Sequence, residues 1–461
     1  MKTVPTTALA LALAAAFPAA AQGTTDLQKE LEALKARIGE LENKIKAQES
    51  QSPQWGMTPD QARELNRVTV KTEAMEDARD AAGLKQLKIS GYADPTYIRN
   101  SGLKNGGFNF INNRADTGYS YDNSYFGSVV LDLSKETDSG TRWRLTLSPN
   151  RGTDTVIGNG GVVQEASVSV PLGDLQTRLI AGHLPDWSGY EYQQATLNKL
   201  ITHNLLFDFT LPTSYTGAGM EITRGKWIAK GVLGNVNATR NPDGRHGNAF
   251  AYRVDYSRGE FQGFGFAGLV GKAPNLRIYD ADGNAQNNPV TTLPYTDTYD
   301  TQSKVHLFEI DAYFIRGDWT VQGQFSLGRQ KFAAIAEDAA TGELRDSSWT
   351  GLSGLVAYKF TPRLEGSVRA DYIRNAKNGG GLFTYTADDA RNGIGRGNGG
   401  NSEVGTNRYA ISLGLGYLWD LNTTFKFEYR QDLASLPVFK TYDGLYRKHN
   451  TLLGASVVVS F

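Results

Sequence analysis

The chain has no cysteine in 461 residues. Disulfides, thiolate metal sites and a cysteine nucleophile are therefore excluded. It has no excess of either charge, with 48 basic and 48 acidic residues. The basic domain or patch that marks most nucleic-acid binders is absent. Beyond the N-terminus no stretch approaches the roughly 20 apolar residues of a membrane helix. That absence leaves one way to cross a bilayer, because half of every strand in a barrel faces water. Histidine is scarce too, at five residues.

Met1 to Ala21 has the layout of a secretory signal. Lys2 supplies the charge, Ala8 to Phe17 the apolar run, and Ala19, Ala20 and Ala21 the small residues of a cleavage site. The mature chain is expected to begin near Gln22. Leu27, Leu31, Leu34, Ile38, Leu41 and Ile45 then follow at spacings of four and three. This heptad seam assigns residues 22–50 to a coiled coil. Its flanks match as g–e pairs between parallel chains: Glu30 with Lys35, Arg37 with Glu42, and Lys44 with Glu49. The seam therefore points to self-association. Isoleucine at a with leucine at d favours a dimer. Fewer than three heptads is marginal alone, so a larger assembly could impose a trimer. Pro53 breaks the helix. Thr58-Pro59-Asp60 starts another, with proline in its first turn. Residues 51–85 read as a helical linker, a spacer or a plug.

From Leu87 onward the apolar residues recur with period two. Short turns centre on Lys135–Gly140, Pro171–Asp174, Arg224–Gly225, Arg258–Glu260, Arg316–Asp318, Thr361–Arg363 and Asp420–Thr423. Seven short turns join fourteen strands. One more strand before them (87–98) and one after (449–461) make sixteen. Alternating short and long connections with an even strand count predict an all-β, 16-stranded antiparallel transmembrane barrel over residues 86–461. Individual strands agree: Phe425, Phe427 and Tyr429 alternate with Lys426, Glu428 and Arg430. Trp143, Trp227, Trp319 and Trp419 sit near short turns, where an interfacial girdle belongs, and Trp349 is expected in the opposite girdle. The last strand has Leu453, Ala455, Val457, Val459 and Phe461 on one face, and Leu452 and Val458 interrupt the polar other.

A barrel of this size is wide enough for an aqueous lumen. The expected lumen wall includes Arg253, Asp255, Glu309, Asp311, Arg369, Asp371, Lys426, Glu428 and Arg430, near balance in sign. The third long loop, about Leu184–Thr213, is rich in aromatic and aliphatic residues, so it should bury itself. Folded into the lumen, it would bring Asp186, Glu191 and Asp208 toward Arg142, Arg144 and Arg178. Opposed charges across such a constriction would set ion selectivity. The alternative is a loop packed on a neighbouring subunit. Residues 376–405 lack apolar content and read as surface loop. Asp280–Gly283 lacks the spaced ligands and closing Glu of a calcium loop, and no metal or cofactor is expected.

With these parts in place, residues 87–461 resemble the Gram-negative outer-membrane porin superfamily. A terminal aromatic such as Phe461 resembles the sorting signal of that class, and a coiled coil before the barrel is similar to the sugar porins. Lys88–Pro95 (KISGYADP) and Thr202–Asp208 (THNLLFD) resemble an uncharacterised porin-like family. The resemblance implies a homotrimer in outer-membrane lipid with one pore per subunit, a constricting third loop, and passive diffusion of small hydrophilic solutes. The coiled coil would lie in the periplasm. Two other readings compete. One is a plugged structural barrel tethered through its coiled coil. The other is a lipid-modifying enzyme, for which His306 beside Ser303 is the one pair to consider; the expectation is no enzyme.

Overall fold

The computed structural model describes residues 32–40, 42–43, 59–81, 84–110, 113–114, 126–148, 162–236, 247–279, 284–377, 380, 382–383, 394 and 404–461. Two compact units divide the chain, Met1–Lys85 and Gln86–Phe461.

In the first unit, residues 32–40 and 42–43 are helical. A second helix, α1 (Pro59–Ala81), begins on the predicted proline, whose missing N–H is unneeded in a first turn. The Arg37 guanidinium donates to the Asp77 carboxylate at 2.9 Å and ties the two segments. Both side chains are exposed, so this tie is worth at most about 1 kcal/mol. Leu34 and Ile38 lie on the first helix with their apolar chains exposed. The other seam positions, Leu27, Leu31, Leu41 and Ile45, fall outside the described residues.

The second unit is a closed antiparallel barrel. Its strands are β1 (Leu87–Ala93), β2 (Thr96–Asn100), β3 (Asn105–Phe110), β4 (Asn113–Arg114), β5 (Val129–Glu136), β6 (Arg142–Leu147), β7 (Val163–Leu172), β8 (Asp174–Pro185), β9 (Ser214–Arg224), β10 (Trp227–Val236) and β11 (Ala249–Ser257). They continue as β12 (Gln262–Pro274), β13 (Gln302–Arg316), β14 (Trp319–Gln330), β15 (Ser347–Lys359), β16 (Leu364–Arg374), β17 (Arg408–Leu418), β18 (Thr423–Ala434) and β21 (His449–Ser460), with β19 (Phe439–Lys440) and β20 (Tyr446–Arg447) a separate hairpin. These segments make sixteen spans. β1 and β2 are one span broken at Asp94-Pro95, since proline cannot donate to a ladder. Asp94 repairs the break by accepting the N–H groups of Gly127 and Ser128. β3 and β5 share the second position, because β3 pairs with β2 and β5 with β1. The barrel closes where Tyr92 meets Ser460 and Thr96 meets Ser456.

All seven predicted short turns join the strands expected. The tightest need a left-handed residue, supplied by Gly225 (φ +59°) and Gly317 (φ +57°). At the last, Asp420 accepts the N–H groups of Asn422 and Thr423, each at 2.8 Å. These bonds to the charged form hold its carboxyl below the ordinary range.

The alternation also holds. Phe427, Tyr429, Leu413, Ile310 and Val368 are exposed on the outer face, while Lys426, Glu428, Arg430, Glu309 and Arg369 are buried inside. Trp227, Trp319 and Trp419 are exposed near short turns and pack on Tyr256 (4.8 Å), Tyr358 (4.6 Å) and Phe425 (6.2 Å) respectively. Trp349 corrects the girdle assignment. It is 3% exposed and lies 6.4 Å from Phe383. The physical reason is parity: exposed Leu352 and Val356 fix the outer face of β15, so Trp349 points inward.

Candidate functional site: the barrel lumen

The third long loop leaves the wall through a narrow neck. Asp186 N–H donates to the Thr213 carbonyl at 3.0 Å, continuing the β8–β9 ladder. Between these residues the chain lies against the inner wall formed by β15, β16, β17, β18 and β21. Its short helix α2 (Leu205–Phe209) is capped by Asn204, whose side chain accepts the Phe207 N–H at 2.8 Å. The wall makes room with glycines. A Cβ on Gly351 would stand 2.1 Å from Leu206, and one on Gly414 would stand 2.3 Å from Leu200.

Buried charges fasten the loop. Arg369 donates to Glu191 (2.8 Å) and to the carbonyls of Thr202 (2.7 Å) and His203 (2.9 Å), and it pairs with Asp371 (3.1 Å). Glu428 accepts the N–H groups of Ile201 (2.8 Å) and Thr202 (2.7 Å) and the Thr202 hydroxyl (2.6 Å). Arg430 donates to the His203 carbonyl (2.8 Å) and to Asp432 (3.1 Å), which also takes Arg408 (2.8 Å). Lys426 holds the carbonyls of Ala195 and Asn198, and Lys199 pairs with Glu365 at 2.8 Å. The Tyr190 and Ser353 hydroxyls share a hydrogen bond of 2.6 Å.

On the other side of the loop lies a cavity of about 1700 Å³, toward the short-turn rim. Its charges are mostly neighbours on the wall. Arg142 pairs with Glu136 (3.0 Å), and Arg144 with Asp132 (2.8 Å) and Glu165 (3.5 Å). Arg253 pairs with Asp255 (2.7 Å) and Asp311 (2.8 Å) and donates to the Trp187 carbonyl. The Lys230 ammonium stands 4.9 Å over the Trp187 ring. Nine acidic and six basic residues line this space, Glu191 among the acids, so its field leans negative.

Of the predicted constriction set, Asp186, Glu191, Arg142 and Arg144 all line this cavity. Asp208 and Arg178 do not. Asp208 is buried in α2. Arg178 is buried in the wall, where it donates to the carbonyls of Gly140 (2.6 Å) and Ser169 (3.0 Å). The three loop acids make their described bonds elsewhere than with the three arginines. Wall acids on adjacent strands already take Arg142 and Arg144, because cross-strand neighbours stand only about 5 Å apart. Glu191 goes to Arg369 instead, and Asp186 accepts from Tyr215 and Ser188. Sequence reasoning missed the carbonyls of Thr202 and His203 as arginine acceptors. Glycines on the inner face, Gly351 in β15 and Gly414 in β17, were a usable signal for close approach from inside.

Toward the long loops a buried apolar core fills much of the lumen, beside the buried Arg408–Asp432 pair. Ile201, Leu205, Leu206, Phe207, Phe209 and Leu211 of the loop join one buried core. Inward side chains from around the wall complete it: Ile98, Val236, Leu269, Val305, Leu307, Trp349, Ile373 and Leu452, with Phe126 and Ile335 from other loops. Leu382, Phe383 and Ile394 join it too, which corrects the reading of residues 376–405 as a surface loop without apolar content: these three side chains are buried. The hydrolase pair is not assembled. Ser303 is buried on the inner side and bonded to Gln330, while His306 lies on the exposed side of the same strand. Asp280–Gly283 falls outside the described residues.

A closed sixteen-stranded antiparallel barrel with short turns at one rim, long loops at the other and an infolded third loop is a porin-type outer-membrane fold. The chain belongs to the family described as "Protein of unknown function (DUF3138)", which matches residues 6–461. No curated protein matches it. Among solved structures it is similar to a loop L8 deletion mutant of OmpT, an outer membrane protein of Vibrio cholerae, at 10% identity and TM-score 0.49, over 81% of this chain and 99% of that one. The anion-selective porin from Comamonas acidovorans is similar at 10% identity and TM-score 0.47, over 81% and 99%. OmpF of Salmonella typhi, in complex with daunomycin, is similar at 11% identity and TM-score 0.46, over 81% and 97%.

Proposed function

We propose that the protein is an outer-membrane channel for small hydrophilic solutes or ions, with the third loop controlling the width of the path. One observation carries this reading. The loop is gripped chiefly by Arg369, Lys426, Glu428 and Arg430, and beside it stands a large cavity with fifteen charged residues in its lining. The acidic lean of that cavity favours cations. Asp186 from the loop faces a space shared with Arg142 and Arg144, which supports a charged narrowing there. Short turns would face the periplasm and long loops the outside. The exposed Leu34 and Ile38 support self-association of the N-terminal helix, as a trimer by the porin resemblance or a dimer by the heptad rule. Stepwise openings of purified protein in a planar bilayer, however rare, with a reversal potential of cation sign under a salt gradient, are the expected result. An anion-signed potential would sink the selectivity.

A second reading is a plugged structural barrel. It is favoured by the apolar core across the long-loop half, which an open water-filled pore would not bury.

A further inference from the structure

We infer that this barrel is closed as folded, with the loop between Asp186 and Thr213 as the centre of a dry apolar plug that Arg369 and Glu428 hold in place. The inference rests on the channel reading above and goes beyond a narrowing.

The argument starts from what an aqueous pore requires. Inward side chains of an open barrel touch water and are polar. Here Leu269, Val305, Leu307 and Ile373 point inward and are almost fully buried, together with Phe207 and Phe209 of the loop. Leu269, Val305 and Leu307 sit on the neighbouring strands β12 and β13 and Ile373 on β16, but the same core takes in Tyr215 of β9, Val236 of β10, Leu452 of β21 and Ile98 of β2, so it reaches round most of the wall. The burial extends to polar wall groups at the same depth: Glu309, Ser326 and Arg369 are 0% exposed.

The fastening is of a different kind from the plug. An apolar core alone would seal the barrel at low cost. This loop is instead gripped through its backbone, at the amides of residues 201 and 202 by Glu428 and at the carbonyls of residues 202 and 203 by Arg369 and Arg430. Buried ion pairs contribute little net stability, because desolvation opposes the Coulomb gain. Their best-attested use is to fix one arrangement against another. The cavity gives the loop somewhere to move, since it borders the face opposite the grip. Two arrangements of one packed element, biased by a small number of charged contacts, are the ordinary material of a switch. Arg369 and Glu428 are therefore positioning residues for the loop and not lining of a pore.

Conductance of the full-length protein tests this. Wild type is expected to be silent apart from rare openings. Arg369→Met is expected to open more often, on the order of tenfold or more. Replacing residues 187–212 by Asn-Gly gives a steady conductance, and the hydrogen-bonded neck at Asp186 and Thr213 allows that short turn. A Leu206→Cys, Gly351→Cys pair, in a chain with no other cysteine, abolishes openings when oxidised and restores them when reduced. Heat-modifiable migration checks that each variant is folded. A wild type that conducts steadily overturns the closure and leaves the channel reading standing. Openings that persist in the oxidised pair overturn the loop as the closing element. Silence from the folded loop-replaced variant overturns the closure by this loop and the channel reading together.

Discussion

The two sides of the lumen use charge in opposite ways. Around the cavity, Arg142, Arg144 and Lys230 remain partly in water; the two arginines pair with wall neighbours, and Lys230 stands over the Trp187 ring. On the loop-bearing wall, Arg369, Arg408 and Arg430 are among the most completely buried side chains in the molecule. Of the expected lumen wall, Arg253, Asp255 and Asp311 line the cavity, whereas Glu309, Arg369, Asp371, Lys426, Glu428 and Arg430 are buried on the inner face. Facing inward is therefore not the same as facing water. The same alternation of charged and apolar residues builds a solvent-accessible vestibule on one side and a buried clamp on the other.

Stability separates the two most sharply. Arg369→Ala leaves Glu191, Asp371 and Glu428 buried without their cation, so unfolding in detergent should become easier by on the order of 3–5 kcal/mol. Arg144→Ala, at a side chain 44% exposed, should cost below about 1 kcal/mol. Equal urea midpoints for the two would erase the distinction. Selectivity should then invert the ranking. Glu221→Gln, which lines the cavity, should move the reversal potential of any conducting form toward anions, and Asp432→Asn should leave it in place. A smaller effect is expected at the girdle: Trp419→Ala should slow membrane assembly without altering conductance, measured by the rate of heat-modifiable product. Least coupled of all is the N-terminal unit. Ile38→Lys should reduce cross-linked oligomers while the barrel's thermal stability stays unchanged.

The barrel was legible because its rules are local. A period of two and a turn residue such as Gly225 or Asp420 are readable within a few positions, so the strand count and all seven short turns follow from the sequence. Phe427 and Glu428 reveal their faces by adjacency alone. The third loop's burial was legible from its composition. Its partners were not, because Glu191 and Arg369 are 178 residues apart and nothing in the spacing decides between Arg369 and Arg144. Trp349 shows the same limit in another form. Its position near a strand end suggested an interface, and only counting parity from Leu352 turns it inward. The extent of the apolar core was missed because its wall members, such as Val305 and Ile373, are only one or two to a strand.

The most direct test of a lumen wet on one side and dry on the other is the labelling rate of single cysteines by a charged thiol reagent, in folded protein. Ser134→Cys lines the cavity, and Ser326→Cys lies beneath the core, where the serine is 0% exposed. The account predicts rapid labelling at 134 and a rate lower by on the order of a hundredfold at 326, since reaction there requires the loop to leave. Equal rates at the two positions would contradict it.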